Sequence, residues 1–221
     1  DLTNFPLIEK ICSKGKPIVL STGASEMREI KKTYKFIYNQ NKKTKLILLH
    51  CIMSYPTSYK DAHLEFIKNL INEFPNNYIG YSDHTFPDEN MITLSLSYFL
   101  GARVIEKHFT DKKGTKGNDH FHSMNVKDLT KFKENIELIN SLYQNINSRP
   151  LLKSEKKSRK NARRSIVTFG KIKKNDGFDK KNLIMKRPGI GISPTKIKYV
   201  FGKRAKRNLN DDTILSWKDI K

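Results

Sequence analysis

Two short segments hold residue types that can do chemistry together: Tyr81-Ser-Asp-His-Thr85 and Glu106-Lys-His-Phe-Thr110. Each ends or follows a short apolar run that reads as a strand, and each sets a histidine, His84 or His108, at the strand's C-terminal end. Two imidazoles delivered from successive strand ends to one rim can hold a transition-metal cation and leave coordination positions open for a substrate oxygen. By spacing alone, two histidines that merely satisfy strand-end hydrogen bonds would look the same. Small hydroxyls occupy comparable places, Ser21 and Ser82, and can donate to anionic oxygens.

The elements that must position these residues repeat one pattern over residues 1–146. Pro17-Ile-Val-Leu-Ser21, Leu46-Ile-Leu-Leu-His50, Tyr78-Ile-Gly-Tyr-Ser82 and Ala102-Arg-Val-Ile-Glu106 read as buried strands. Amphipathic helices follow them: one capped by Ser25 with Glu26 and Glu29 in its first turn, one from about Ala62 to Phe74, one from about Asp88 to Leu100 closed by Gly101, and one from about Val126 to Tyr143. The last has Leu129, Phe132, Ile136, Ile139 and Leu142 as its buried stripe. Continuous apolar strands alternating with helices predict a parallel sheet with both faces covered. Polar residues at every strand C-terminus favour half of a (β/α)8 barrel over an open doubly wound sheet, which concentrates its ligand at one switch point.

At Asn147 the composition changes to Ser-Arg-Pro and a Lys- and Arg-rich run, a linker signal through Asn161. Residues 162–221 then read as a separate, mainly β module, with strands at Ser165-Ile-Val-Thr-Phe, Leu183-Ile-Met-Lys and Thr213-Ile-Leu and a rigid corner at Arg187-Pro-Gly-Ile-Gly191.

The chain has 221 residues and a net charge of +21, from 43 Lys+Arg against 22 Asp+Glu. Such a balance would suit nucleic acid or an anionic surface. The lysines are scattered, however, and few aromatics interleave with them as a base-stacking surface requires, so no nucleic-acid partner is expected. No apolar run reaches ~18 residues, so no membrane partner is expected either. Cys12 and Cys51 make no disulfide framework and read as thiols of a reducing, cytoplasmic setting. Asp1-Leu-Thr-Asn is not a signal peptide and reads as a chain entered partway through.

Taken in order, the motifs resemble the sialic acid synthase family. They are Lys16-Pro-Ile-Val-Leu-Ser-Thr-Gly23, Leu49-His-Cys51 with Tyr55-Pro-Thr57, the two histidine segments, Gly117-Asn-Asp119, Ser123-Met124, Ala162-Arg-Arg-Ser165, Lys186-Arg-Pro-Gly189 and Phe201-Gly-Lys203. The resemblance implies an α/β fold: the C-terminal half of a (β/α)8 TIM barrel followed by a small mainly-β antifreeze-like (SAF) domain. It also implies an enzyme that condenses phosphoenolpyruvate with N-acetylmannosamine or a related amino sugar. The first four βα units, and a phosphate-binding Lys and Ser that the family carries just before the position of Asp1, are absent, so the chain is expected to be inactive alone. A half barrel would also expose two sheet edges and apolar surface.

The resemblance further implies individual roles. His84 and His108 correspond to the ligands of a divalent cation, Mn2+ or Mg2+. Ser21 and Ser82 match contacts to the phosphate or carboxylate of phosphoenolpyruvate. Tyr55 and Asp119 match contacts to the acyclic sugar, and Asp1 falls where the family has an acidic residue near the reacting carbons. Arg187 matches an SAF arginine that reaches a partner subunit's barrel, which implies a domain-swapped homodimer. His50 is placed near the site, and His120 and His122 are not read as ligands. Ile52-Met53-Ser54 departs from a more polar segment in relatives, which implies a phosphoenolpyruvate contact either lost or replaced by Ser54.

Overall fold

The computed structural model describes residues 1–117, 119–144 and 146–221. They form two compact units, 1–145 and 146–221. In the first, four parallel strands lie in sequence order: β1 (Ile18–Ser21), β2 (Leu46–Cys51), β3 (Tyr78–Asp83) and β4 (Val104–Lys107). The register pairs Ser21 with Leu49, Cys51 with Ser82, and Ser82 with Glu106. Around them run α1 (Phe5–Cys12), α2 (Met27–Gln40), α3 (Phe66–Glu73), α4 (Ile92–Phe99) and α5 (Val126–Leu142). The sheet is the curled half-barrel that the sequence predicts.

Alternation along the strands divides the sheet into two unlike faces. Ile18, Leu20, Leu46, Leu48, Ile79, Tyr81 and Ile105 join one core with Ile8, Ile30, Ile37, Ile67, Leu70, Leu94 and Phe132 of the five helices. The opposite face carries Val19 and Tyr78, which are 51% and 69% exposed. The expectation that both faces would be covered holds for the helix-packed face and in part for this one, where Leu49, Cys51 and Ser82 are buried. The second face is the inner wall of a barrel half, and its hydrophobic residues face the lumen. Gly80 lies on this wall, where a Cβ would stand 2.4 Å from Leu49 Cδ2 and 2.4 Å from the Val104 carbonyl oxygen. The carbonyl is backbone and cannot step aside, so Gly80→Ala is expected to cost ~1–3 kcal/mol through overpacking, read as a lower denaturation midpoint.

His50 belongs to the helix-facing side. It is buried between the rings of Phe66 and Tyr81, and its Nε2 donates to the Ala62 carbonyl at 2.8 Å. The residue at a strand end is thus a core histidine, turned away from the inner wall by strand alternation. Burial holds its pKa below the ordinary histidine value. The unfolded chain then binds more protons, so stability is full above about pH 6.5 and falls as the pH drops below it. His50→Gln is expected to flatten that slope in denaturation curves taken between neutral and mildly acidic pH.

Several helix ends depart from expectation for local reasons. Ser25 donates back to the Gly23 carbonyl, and Glu26 is the N-cap of α2, its N–H bonded to Glu29 Oε2 at 2.8 Å. α3 begins at Phe66 because His63 has φ +43°, outside the helical region. α4 begins at Ile92, whose N–H donates to Asp88 Oδ1 at 2.9 Å. Gly101 closes α4 as expected, with φ +116° and its N–H on the Tyr98 carbonyl. In α5, Leu129, Phe132 and Ile136 pack inward, but Leu142 is 76% exposed. A helix of 17 residues is ~25 Å long and overruns a four-residue strand of ~13 Å.

In the second unit β5 (Ser165–Thr168) pairs antiparallel with β6 (Leu183–Lys186) over a core that includes Ile166, Phe178, Val200, Leu209 and Leu215. The expected third strand at Thr213-Ile-Leu joins through a single pairing of Ile214 with Val167. The segment that composition reads as linker carries α6 (Glu155–Ala162), none of whose residues is buried.

Candidate metal centre

The inner wall brings the chemistry to the strand C-termini. Ser82 Oγ donates to Glu106 Oε1 at 2.6 Å, and two residues further along each strand the rings of His84 and His108 stand 5.4 Å apart. Between those positions, Asp83 and Lys107 point the other way. Lys107 Nζ lies 2.6 Å from Asp83 Oδ2, and the two side chains are 0% and 1% exposed. Lys107 also donates to the Thr85 carbonyl, while Asp83 accepts from the Tyr81 hydroxyl and from the Thr85 N–H and hydroxyl. This closed network ties the ends of β3 and β4 together directly behind the two histidines.

Two loops complete the rim. After β2, the Thr57 N–H donates to the His84 carbonyl, and Thr57 pairs with Thr85. This turns Tyr55 over the site, its ring 4.1 Å from that of His84 and within 6.1 Å of those of His108 and His122. After β4, Met124 donates to the His108 carbonyl and accepts from the Thr110 N–H. That pairing folds the intervening loop back on the strand end. His122 thereby packs against His108 with tilted rings and centroids 4.8 Å apart, and Asp119 Oδ2 comes to 3.5 Å from His108 Nδ1. One ligand atom from each of His108, Asp119 and His122 lies within 4.8 Å of the others.

The donor chemistry fits a cation. His84 Nδ1 is 2.8 Å from the Ile52 carbonyl, which can only accept, so Nδ1 holds a proton and, in the neutral ring, Nε2 holds the free lone pair. A metal-ligating histidine is oriented in this way by an outer partner. Burial, with His108 next, holds His122 below the ordinary histidine pKa and so favours its neutral ring. Burial pushes the Cys51 thiol up, but hydrogen bonds from His84, Ser21 and Ser82 outweigh it and the net shift is downward. Burial would lower His84, yet the contacts with Cys51 and Ile52 raise it.

Of the residues read from the sequence, His84, His108, Tyr55 and Asp119 converge, and Ser21 and Ser82 line the same wall beside Cys51. Asp1 is exposed at the head of α1, its carbonyl accepting the Asn4 N–H. Arg187 belongs to the second unit, where its Nε donates to the Ala162 carbonyl. Ser54 turns its hydroxyl to the Pro56 carbonyl, and Met53 is 58% exposed. Asn118 of the Gly117-Asn-Asp119 motif lies outside the described residues. His120 bonds Thr110 Oγ1 through Nδ1 at 2.8 Å and stays outside the group, whereas His122 enters it. No local signal separates the two: among the described residues of this loop only Met124 is paired with the strand segment, through Phe109, and the loop before it sets each ring by tertiary contact.

With this geometry in place, comparison with known proteins decides the family. The NeuB family model matches residues 1–148 and the SAF domain model matches residues 163–221. The chain belongs to the NeuB family. Among its relatives, an uncharacterised protein of Methanocaldococcus jannaschii is 40% identical over all of this chain and 64% of its own length. The N,N'-diacetyllegionaminic acid synthase of Legionella pneumophila is 34% identical over all of this chain and 61% of its own. The crystal structure of a spore coat polysaccharide biosynthesis protein E from Chromobacterium violaceum superposes with a TM-score of 0.71 at 25% identity, covering 100% of this chain and 65% of that one. This NeuB-family chain therefore spans less than two thirds of the length of the relatives it matches. Among its described residues, no helix is long and apolar enough to cross a membrane.

Proposed function

We propose that this chain is the part of a nonulosonic acid synthase that carries the metal-binding rim and the SAF domain. The carrying observation is the convergence of His84, His108, Asp119 and Tyr55 at one end of a NeuB-family half-barrel sheet. In the reaction, C3 of phosphoenolpyruvate attacks the aldehyde carbon of an open-chain N-acetylated amino sugar, and the aldehyde oxygen takes up a proton to become a hydroxyl. Water adds to C2, phosphate leaves by C–O cleavage, and the product is a nine-carbon keto acid.

A divalent cation, Mn2+ or Mg2+, would supply Lewis-acid polarisation of the aldehyde oxygen. His84 and His108 would hold it, which fits an oriented His84 with a free Nε2 lone pair. Ser21 and Ser82 would donate to the phosphate or carboxylate of phosphoenolpyruvate. Asp119 would accept from sugar hydroxyls, and the Tyr55 ring would pack on the sugar. Arg187, on the rigid Pro-Gly corner, would reach a partner subunit's barrel in a domain-swapped homodimer. Asp1 would stand near the reacting carbons in the full-length protein, in the cytoplasm.

N-acetylmannosamine is the acceptor implied by the sequence motifs. Likeness to a diacetyllegionaminic acid synthase favours a 6-deoxy diamino sugar as the second reading. The test is phosphate release from phosphoenolpyruvate by the full-length protein with each sugar, with and without Mn2+. Release with either acceptor that requires the cation supports the synthase and selects its substrate. A folded protein silent with both sugars would sink it.

A further inference from the structure

His122 is 0% exposed, and neither of its ring nitrogens has a hydrogen-bond partner among the described residues. An imidazole buried in this way forfeits the hydrogen bonds it made to water, a cost of ~1–3 kcal/mol for an unsatisfied polar group. Its neighbours offer no protein compensation. It is flanked by the rings of Phe121 at 4.7 Å, His108 at 4.8 Å and Tyr55 at 5.9 Å. The loop cannot easily turn it out, because Met124, two residues on, is bonded on both sides to the His108 segment, and Ser123 Oγ donates to the Asp119 carbonyl. The unpartnered ring is therefore held where His108 and Asp119 also present ligand atoms, all within 4.8 Å.

We infer that His122 is a further imidazole ligand of the cation, giving this site a more nitrogen-rich donor set than His84 and His108 alone. The inference rests on the metal site proposed above and adds a selectivity to it. Mg2+ prefers oxygen donors and gives up water reluctantly, whereas imidazole suits transition metals. An additional imidazole in place of a water thus biases the site toward Mn2+ and its transition-metal neighbours and against Mg2+.

The test uses full-length protein and needs no turnover. Mn2+ affinity is measured by titrating free Mn2+ by EPR, and bound nitrogens are counted by pulsed EPR, for the native protein and for His122→Ala and His122→Asn. Asparagine keeps a polar side chain in the cavity should alanine impair folding. Loss of one coupled nitrogen and weakening of Mn2+ binding by at least the roughly 10- to 100-fold that an outer-shell partner is worth, with Mg2+ binding little changed, would bear the assignment out. Unchanged nitrogen count and affinity in both variants, with binding lost in His84→Ala, would overturn the role of His122 and leave the two-histidine site standing. Binding insensitive to His84→Ala, His108→Ala and the His122 variants alike would overturn both.

Discussion

His108→Ala in the full-length protein is expected to lower cation-dependent phosphate release by roughly 100-fold or more, since outer-shell partners of a metal ligand are already worth ~10–100-fold. His108 sits at the centre of the rim. Its ring lies within 6.1 Å of those of His84, Tyr55 and His122, and its Nδ1 is 3.5 Å from Asp119 Oδ2. In the proposed site, its loss would remove one ligand and the ring that packs at 4.8 Å against His122. The matched control is His120→Ala, in the same loop, whose ring is bonded to Thr110 and stays outside the ligand group. That variant is expected to keep near-native activity at saturating Mn2+. Equal losses in the two variants would show that the loop, and not the imidazole of His108, is what matters. Excess Mn2+ should restore part of any loss that arises from weakened cation affinity.

The second large effect is on folding. Lys107→Met leaves the Asp83 carboxylate buried without its cation, and breaking a buried pair in this way costs ~3–5 kcal/mol. The expected readout is a lower denaturation midpoint with an unchanged slope. The double variant Asp83→Leu with Lys107→Met removes both charges, and is expected to recover much of the loss, because apolar replacements of buried pairs are often close to neutral. Recovery will be incomplete, since the Tyr81 hydroxyl and the Thr85 N–H also bond to Asp83. A Lys107→Met cost below ~1 kcal/mol, the level of an exposed pair, would show that the network does not brace β3 against β4. This brace matters for function because Asp83 and Lys107 each immediately precede one of the two rim histidines.

Much of this was legible without coordinates. Apolar runs at regular intervals, each followed by a helical period, determined a parallel sheet, and polar residues at every strand end favoured the sequential order of a barrel half. The position of His84 and His108 at strand ends followed from where those runs stop. The glycine after α4 and the β character of the second unit followed from local chemistry. Contacts between residues distant in sequence could not be read this way. Strand alternation sent His50 into the helix layer, although it ends an apolar run just as His84 and His108 do. The Asp83–Lys107 pair joins two strands 24 residues apart, and isolated charges in an apolar strand do not announce their partner. His122 was passed over because only the return of the loop to Met124 decides which of two neighbouring histidines faces His108. The sequence by itself determined where the strands end and hence near which rim His84 and His108 lie. The tertiary structure decided which side chains meet there, since that depends on backbone pairing between segments whose residues carry no local sign of each other.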